Sequence, residues 1–338
     1  MMTTNPLTIR TVDMHTGGEP VRIVVDGFPP VPPGPLLAQR RWVMAHADHL
    51  RRLLMLEPRG HHDMYGALIV SPGATDADLA VLFMHNEGYS TMCGHAVIAL
   101  GRYAVDHGLV PAVEPETEVR ILCPCGPVTA RVQVANGRSG DVSFRSVPAF
   151  AFRRDAIIET ATYGLVTVDI GFGGAFYAIL PAQHLGLDVR TSPTRDLVDA
   201  ASAITAAGKA QIALEHPDDP DLAFLYGTIL TDGRDGLAGG PSANICVFAD
   251  RQVDRSPTGS GVTARIALMH RRGQLGLGEP RRFESITGAI FEGRAVAETR
   301  AGAWPAVVVE VRGRAHYMGE CRFIVEPDDP LGHGFRLR

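Results

Sequence analysis

Basic residues are too few here to suit a nucleic-acid partner. Against 37 Asp+Glu stand 32 Lys+Arg, a formal charge of −5, so there is no cationic surplus to neutralise phosphates or anionic lipid. No run approaches the ~18 apolar residues of a membrane span. The N-terminus, Met1-Met2-Thr3-Thr4-Asn5-Pro6, lacks the basic-then-apolar order of a secretory leader. Cysteine is sparse and odd in number, five residues at 93, 123, 125, 246 and 321, which is not a disulfide framework. A soluble protein of the reducing cytoplasm is the expectation.

Nucleotide and metal signatures are missing too. Gly17-Gly18 is followed by Glu19-Pro20, with neither G-x-G-x-x-G nor a Walker lysine. Cys123-Pro124-Cys125 reads as a C-x-C pair of strand cysteines, with no second pair at ligand spacing. His61-His62-Asp63 are neighbours whose side chains diverge. No metal and no cofactor are assigned, and small-molecule chemistry is what remains.

What is present is a chain of 338 residues, 45% hydrophobic, with 37 Gly and 24 Pro. At roughly 100–200 residues per domain this length suits two turn-rich globular domains. The sequence repeats itself once. Val12-Asp13-Met14-His15-Thr16-Gly17-Gly18 recurs as Val168-Asp169-Ile170-Gly171-Phe172-Gly173-Gly174. A stronger match aligns Cys93-Gly94-His95-Ala96 with Thr258-Gly259-Ser260-Gly261. In each copy an apolar strand (80–84; 244–249) leads through a polar turn into a helix starting at Cys93 or Thr258. Small residues in the first turn allow a ligand close to the free backbone N–H groups. The first helix is apolar almost all round, as a helix enclosed by sheet would be. Amphipathic helices precede both motifs, over 35–56 and 194–214, and alternating strands surround them. Two similar α/β halves follow, joined near Arg153–Thr162.

Cys93 is the residue with chemistry to offer. Most free cysteines are buried and inert, but a thiol at a helix start lies where N–H groups and the helix dipole lower its pKa from ~8.5 toward neutrality. Asp254, four residues before Thr258, reads alone as a surface or capping carboxylate, and its place beside the second helix start raises it.

Met92-Cys93-Gly94-His95, Asp254-Arg255-Ser256-Pro257-Thr258-Gly259-Ser260-Gly261, Met14-His15-Thr16-Gly17-Gly18-Glu19 and Arg59-Gly60-His61 together resemble the proline racemase family. The likeness spans nearly the whole chain and includes His316-Tyr317-Met318-Gly319-Glu320 and Asp329-Pro330-Leu331. It implies the α/β (α+β) fold shared with diaminopimelate epimerase: two pseudo-symmetric domains, each a barrel-like, mostly antiparallel sheet around a central helix. The expected domains are residues 1–155, carrying Cys93, and 156–325, carrying Asp254 and Thr258, with about 326–338 returning to the first. Family racemases hold substrate between two cysteines. Here Thr258 replaces the second, which resembles the trans-3-hydroxy-L-proline dehydratase branch.

Chemistry agrees with that substitution. Racemisation by two bases needs an exchangeable proton carrier on each face of the α-carbon, and a threonine hydroxyl does not titrate near neutral pH. One base suffices to remove an α-proton and expel a β-hydroxyl. The resemblance implies Cys93 and Thr258 as the catalytic pair and a cofactor-independent hydro-lyase of hydroxyproline degradation, working as a cytoplasmic homodimer. Backbone N–H groups of Gly94, His95, Gly259 and Ser260 are expected to bind the substrate carboxylate, with His95 and Asp254 near the ring nitrogen. A proline racemase or 4-hydroxyproline epimerase is the alternative enzyme, and a non-catalytic amino-acid-binding protein the non-enzymatic one.

Overall fold

The computed structural model describes residues 6–236 and 239–337; Met1–Asn5, read above for a leader, fall outside the described residues. The repeat seen in the sequence is a repeat of topology. The first half runs β1 (Leu7–Thr16), β2 (Glu19–Asp26), α1 (Leu36–His46), α2 (Asp48–Met55), β3 (Tyr65–Val70), β4 (Leu79–His85), β5 (Tyr89–Ser90), α3 (Gly94–Asp106), β6 (Glu116–Cys123), β7 (Gly126–Ala135), β8 (Arg138–Arg145) and β9 (Ala149–Thr160). The second runs β10 (Gly164–Phe172), β11 (Phe176–Pro181), α4 (Thr194–Gln211), β12 (Leu225–Thr231), β13 (Ser242–Phe248), β14 (Gln252–Asp254), α5 (Gly259–Arg271), β15 (Arg281–Glu284), β16 (Ile290–Ala301), β17 (Trp304–Gly313) and β18 (Ala315–Val325).

Nearly all pairings have a counterpart in the other half. β2 lies parallel to β3 and β4 parallel to β6, as β11 does to β12 and β13 to β15. The remaining pairs are antiparallel, so each half is a mixed, mostly antiparallel, barrel-like sheet, as expected. The last strand of each half crosses over. β9 pairs with β10 along its length, and β18 returns to pair with β1. Arg153–Thr162 therefore lies in β9 and its hairpin turn into β10 rather than in a linker.

α3 and α5 are the two central helices. Of the 13 residues in α3 only Arg102 and Asp106 escape burial, which accounts for its all-round apolar sequence. The helix expected over 35–56 is divided at Ala47, whose φ of −131° leaves helical geometry. Asp48 restarts it, pairing with Arg51, and the new axis buries Leu50, Leu53 and Leu54. Cys123 ends β6 as a strand cysteine, while Cys125 sits in the following hairpin turn and donates its N–H to the Thr91 carbonyl.

Candidate active site

Both central helices begin at the same point in space. Cys93 is the N-cap of α3 and Thr258 the N-cap of α5. A Cβ added to Gly94 would meet the Gly259 Cα at 2.5 Å. Only glycines permit this approach, and it aims two helix N-termini, each with unpaired first-turn N–H groups, at one small volume.

That volume is a pocket lined by Cys93, Gly94, His95, Asp254, Thr258, Gly259 and Ser260, all expected at the site from the sequence, and by Tyr65, Met92, Tyr177, Tyr226, Cys246 and Phe248, for which no role there was expected. Its free space is about 10 Å³, room for about one water molecule. A wider groove of about 890 Å³ runs past Arg52, Arg195 and Arg336, but neither Cys93 nor Thr258 forms its walls.

Cys93 is 5% exposed, and its sulfur lies 3.1 Å from His95 Nδ1. His95 Nε2 is 3.2 Å from the Pro20 carbonyl, an acceptor only, so the ring hydrogen belongs on Nε2 and Nδ1 is free to accept the thiol proton. The sequence argument expected a lowered thiol pKa; the closed pocket has the opposite effect. Burial pushes the Cys93 thiol up, the Ala96 N–H and the Tyr65 hydroxyl pull it down, and the Asp254 and Glu19 carboxyls push it up again. Burial likewise lowers His95. The resting pair is a neutral thiol beside a neutral imidazole.

Thr258 faces Cys93 from the other half. Its φ of 65° places a β-branched residue in the left-handed region, and its buried hydroxyl has no hydrogen-bond partner of normal geometry. Such strain persists only where the surroundings enforce it, and functional sites are where it collects. Cys246 stands close to Thr258 in the middle of β13, away from any helix end; burial and the Asp254 charge push its thiol up, and the Thr258 hydroxyl pulls it down. Ser260 is fixed through its hydroxyl, 2.7 Å from that of Tyr177. The Asp254 carboxylate accepts the Ser256 N–H at 2.7 Å.

Glu19 is completely buried behind the pocket and ties the halves together by accepting the Arg255 N–H at 2.7 Å. Burial and the neighbouring Asp254 push its carboxyl well above the usual range. Arg255 also pairs with Asp63 at 2.8 Å, so the cluster set aside for metal binding is an ion-pair clasp between halves. Among the described residues no group of three or more His, Cys, Asp or Glu side chains is arranged to hold a metal.

The proline racemase family model matches residues 11–336. The chain belongs to the proline racemase family. Within it, a human protein named trans-3-hydroxy-L-proline dehydratase is 59% identical over 335 residues, covering 98% of this chain and 95% of that one. A Burkholderia multivorans protein named 3-hydroxyproline 2-epimerase is 46% identical over 332 residues, covering 98% of each. Among solved structures, a hydroxyproline epimerase from Agrobacterium vitis with bound trans-4-hydroxy-L-proline superposes with a TM-score of 0.92 at 28% identity, covering 99% of this chain and 96% of that one. The family fold thus extends across the described chain.

Proposed function

We propose that this proline racemase family member is a hydro-lyase that dehydrates trans-3-hydroxy-L-proline to Δ1-pyrroline-2-carboxylate. The observation that carries the reading is the facing pair: one thiol with an acceptor for its proton on one side of the pocket, and one threonine hydroxyl on the other. Identity of 59% to a dehydratase supports it. The epimerase reading needs a second proton carrier at the opposite helix start, where Thr258 stands.

In this scheme the zwitterionic substrate supplies the charges the resting pocket lacks. Its carboxylate takes the backbone N–H groups of Gly94, His95, Gly259 and Ser260, between two positive helix ends. Its ring ammonium lies beside Asp254. Cys93 passes its proton to His95 Nδ1, and the thiolate so formed is offset by the ring ammonium and the new imidazolium. The thiolate removes the α-proton; the C3–O bond breaks as the C2=C3 bond forms, and the enamine tautomerises to the cyclic imine. Charge growing on the carboxylate in the enolate-like transition state makes each helix-end donor worth ~10²–10³ in rate. The residues of the protein supply the base and the electrostatic sink, so the scheme calls for no cofactor.

A proline ring exceeds the free space of about 10 Å³, so the pocket must widen to admit the substrate. We place the protein in the cytoplasm, which its five free cysteines suit; among the described residues no helix is long and apolar enough to cross a membrane. We also propose that it works as a homodimer, as the family resemblance implies. The deciding experiment incubates the enzyme with trans-3-hydroxy-L-proline and assays the cyclic imine. Recovery of the C2 epimer with no imine would replace this reading with epimerisation.

A further inference from the structure

Dehydration of this substrate requires something to hold the departing oxygen. In trans-3-hydroxy-L-proline the α-hydrogen and the 3-hydroxyl share one ring face, so the oxygen leaves on the side of Cys93. Hydroxyl groups from both halves gather there. From the first half, Tyr65 is engaged in a short hydrogen bond with Ser90. From the second half comes Tyr226, on β12, which lines the same pocket and is near enough to Cys93 for a charge on that sulfur to raise its pKa.

Tyr226 is held on several sides. Its ring stacks on Phe248, centroids 5.2 Å apart at 21°, and meets Tyr177 at 5.8 Å and His85 at 5.9 Å edge-on. The hydroxyl is buried beside those of Tyr65 and Ser90, which pull its phenol down, yet it makes no hydrogen bond of normal geometry to either. A buried hydroxyl without a well-formed hydrogen bond is costly, and a ring clamped this way does not swing out to relieve it. Tyr226 also lines a surface groove with Arg40, Lys209 and Phe224, so its ring separates that groove from the pocket.

We infer that the Tyr226 hydroxyl is the hydrogen-bond donor to the departing 3-hydroxyl, an inference that rests on the dehydratase reading above. The step balances without a further reagent. The α-proton moves to the Cys93 sulfur, the C3–O bonding pair leaves with the oxygen, and the same proton passes from sulfur to that oxygen to release water. Tyr226 keeps its own proton throughout and steadies the charge as the bond breaks. Burial, which pushes its phenol pKa well up, suits that role.

Tyr226→Phe keeps the ring and its stacking and removes only the donor. In deuterated water the variant should form imine ~10²–10³-fold more slowly, while still washing deuterium into the α-position of unreacted substrate and melting near the wild-type temperature. Equal loss of exchange and elimination, or unchanged elimination, overturns the inference. A second measurement replaces Tyr226 with a more acidic fluorotyrosine, a stronger hydrogen-bond donor: at neutral pH imine formation should quicken relative to α-deuterium exchange, and an unchanged ratio also overturns the inference. Absence of imine with the wild-type enzyme would instead sink the dehydratase reading itself.

Discussion

Two thiols line the pocket, and only one of them caps a helix. Cys93 receives a hydrogen bond from the Ala96 N–H and has an imidazole to take its proton, whereas Cys246 sits mid-strand with the Thr258 hydroxyl. Cys93→Ser should therefore lower dehydration by about 10²–10⁴-fold, the range for loss of a general base, without a change in melting temperature. Cys246→Ala should stay within about tenfold of wild type and lose roughly 1 kcal/mol of stability through the small cavity it leaves. If the two variants exchange these phenotypes in steady-state assays, the base has been misassigned. Thr258→Cys tests the opposite face. A cysteine is not β-branched and tolerates the positive φ no worse, so the fold should hold, and the variant should gain interconversion of L- and D-proline, followed by optical rotation. Racemisation by the wild type would remove Thr258 as the discriminating residue. Cys93 and Thr258 were legible because the repeat placed both at helix starts. That Glu19, Tyr226 and Cys246 stand at or behind the pocket was not, since strand alternation assigns a residue to a face without saying what that face meets.

At the scale of elements, the site is made by two helix ends in van der Waals contact. Gly94→Ala puts a methyl 2.5 Å from the Gly259 Cα and 3.1 Å from the Phe144 ring, so α3 and α5 must move apart. A displacement of ~1 Å between reacting groups costs ~10²-fold, and we expect a loss of that order in kcat with a lowered melting temperature. Retention of full activity, measured beside Gly259→Ala, would show that the contact is not what sets the site. Where the two helices start could be read from the sequence, because small residues interrupt an apolar pattern there. That they touch could not. The parallel pairs β2–β3 and β4–β6 and the return of β18 to β1 join segments far apart in sequence, and no local signal names a strand's partner. The division of 35–56 at Ala47 was equally silent, having neither glycine nor proline at the break.

For the whole molecule, the crossed strands β9 and β18 and the Arg255 clasp hold the halves around buried titratable groups whose effects on stability oppose each other. His85 is pushed down to about 3, chiefly by burial and then by Arg51. Between pH 6.5 and about 3 the unfolded chain binds a proton that the native site refuses, so this group's contribution is lost as the pH falls through that window. Glu19 works the other way. Its folded pKa lies above the ordinary value of 4.5, so the native carboxyl keeps a proton that the unfolded chain releases, and its contribution is lost as the pH rises above 4.5. Glu19→Gln imitates the protonated acid and cannot ionise. The variant should therefore gain on the wild type from pH 4.5 upward, by about 1.4 kcal/mol per pH unit until the folded pKa is reached. Urea unfolding at pH 4.5, 6 and 8 measures that gap; a gap that stays constant across the three would mean that the folded Glu19 pKa is not raised and that the carboxyl stands ionised in the native pocket, adding a negative charge near Cys93.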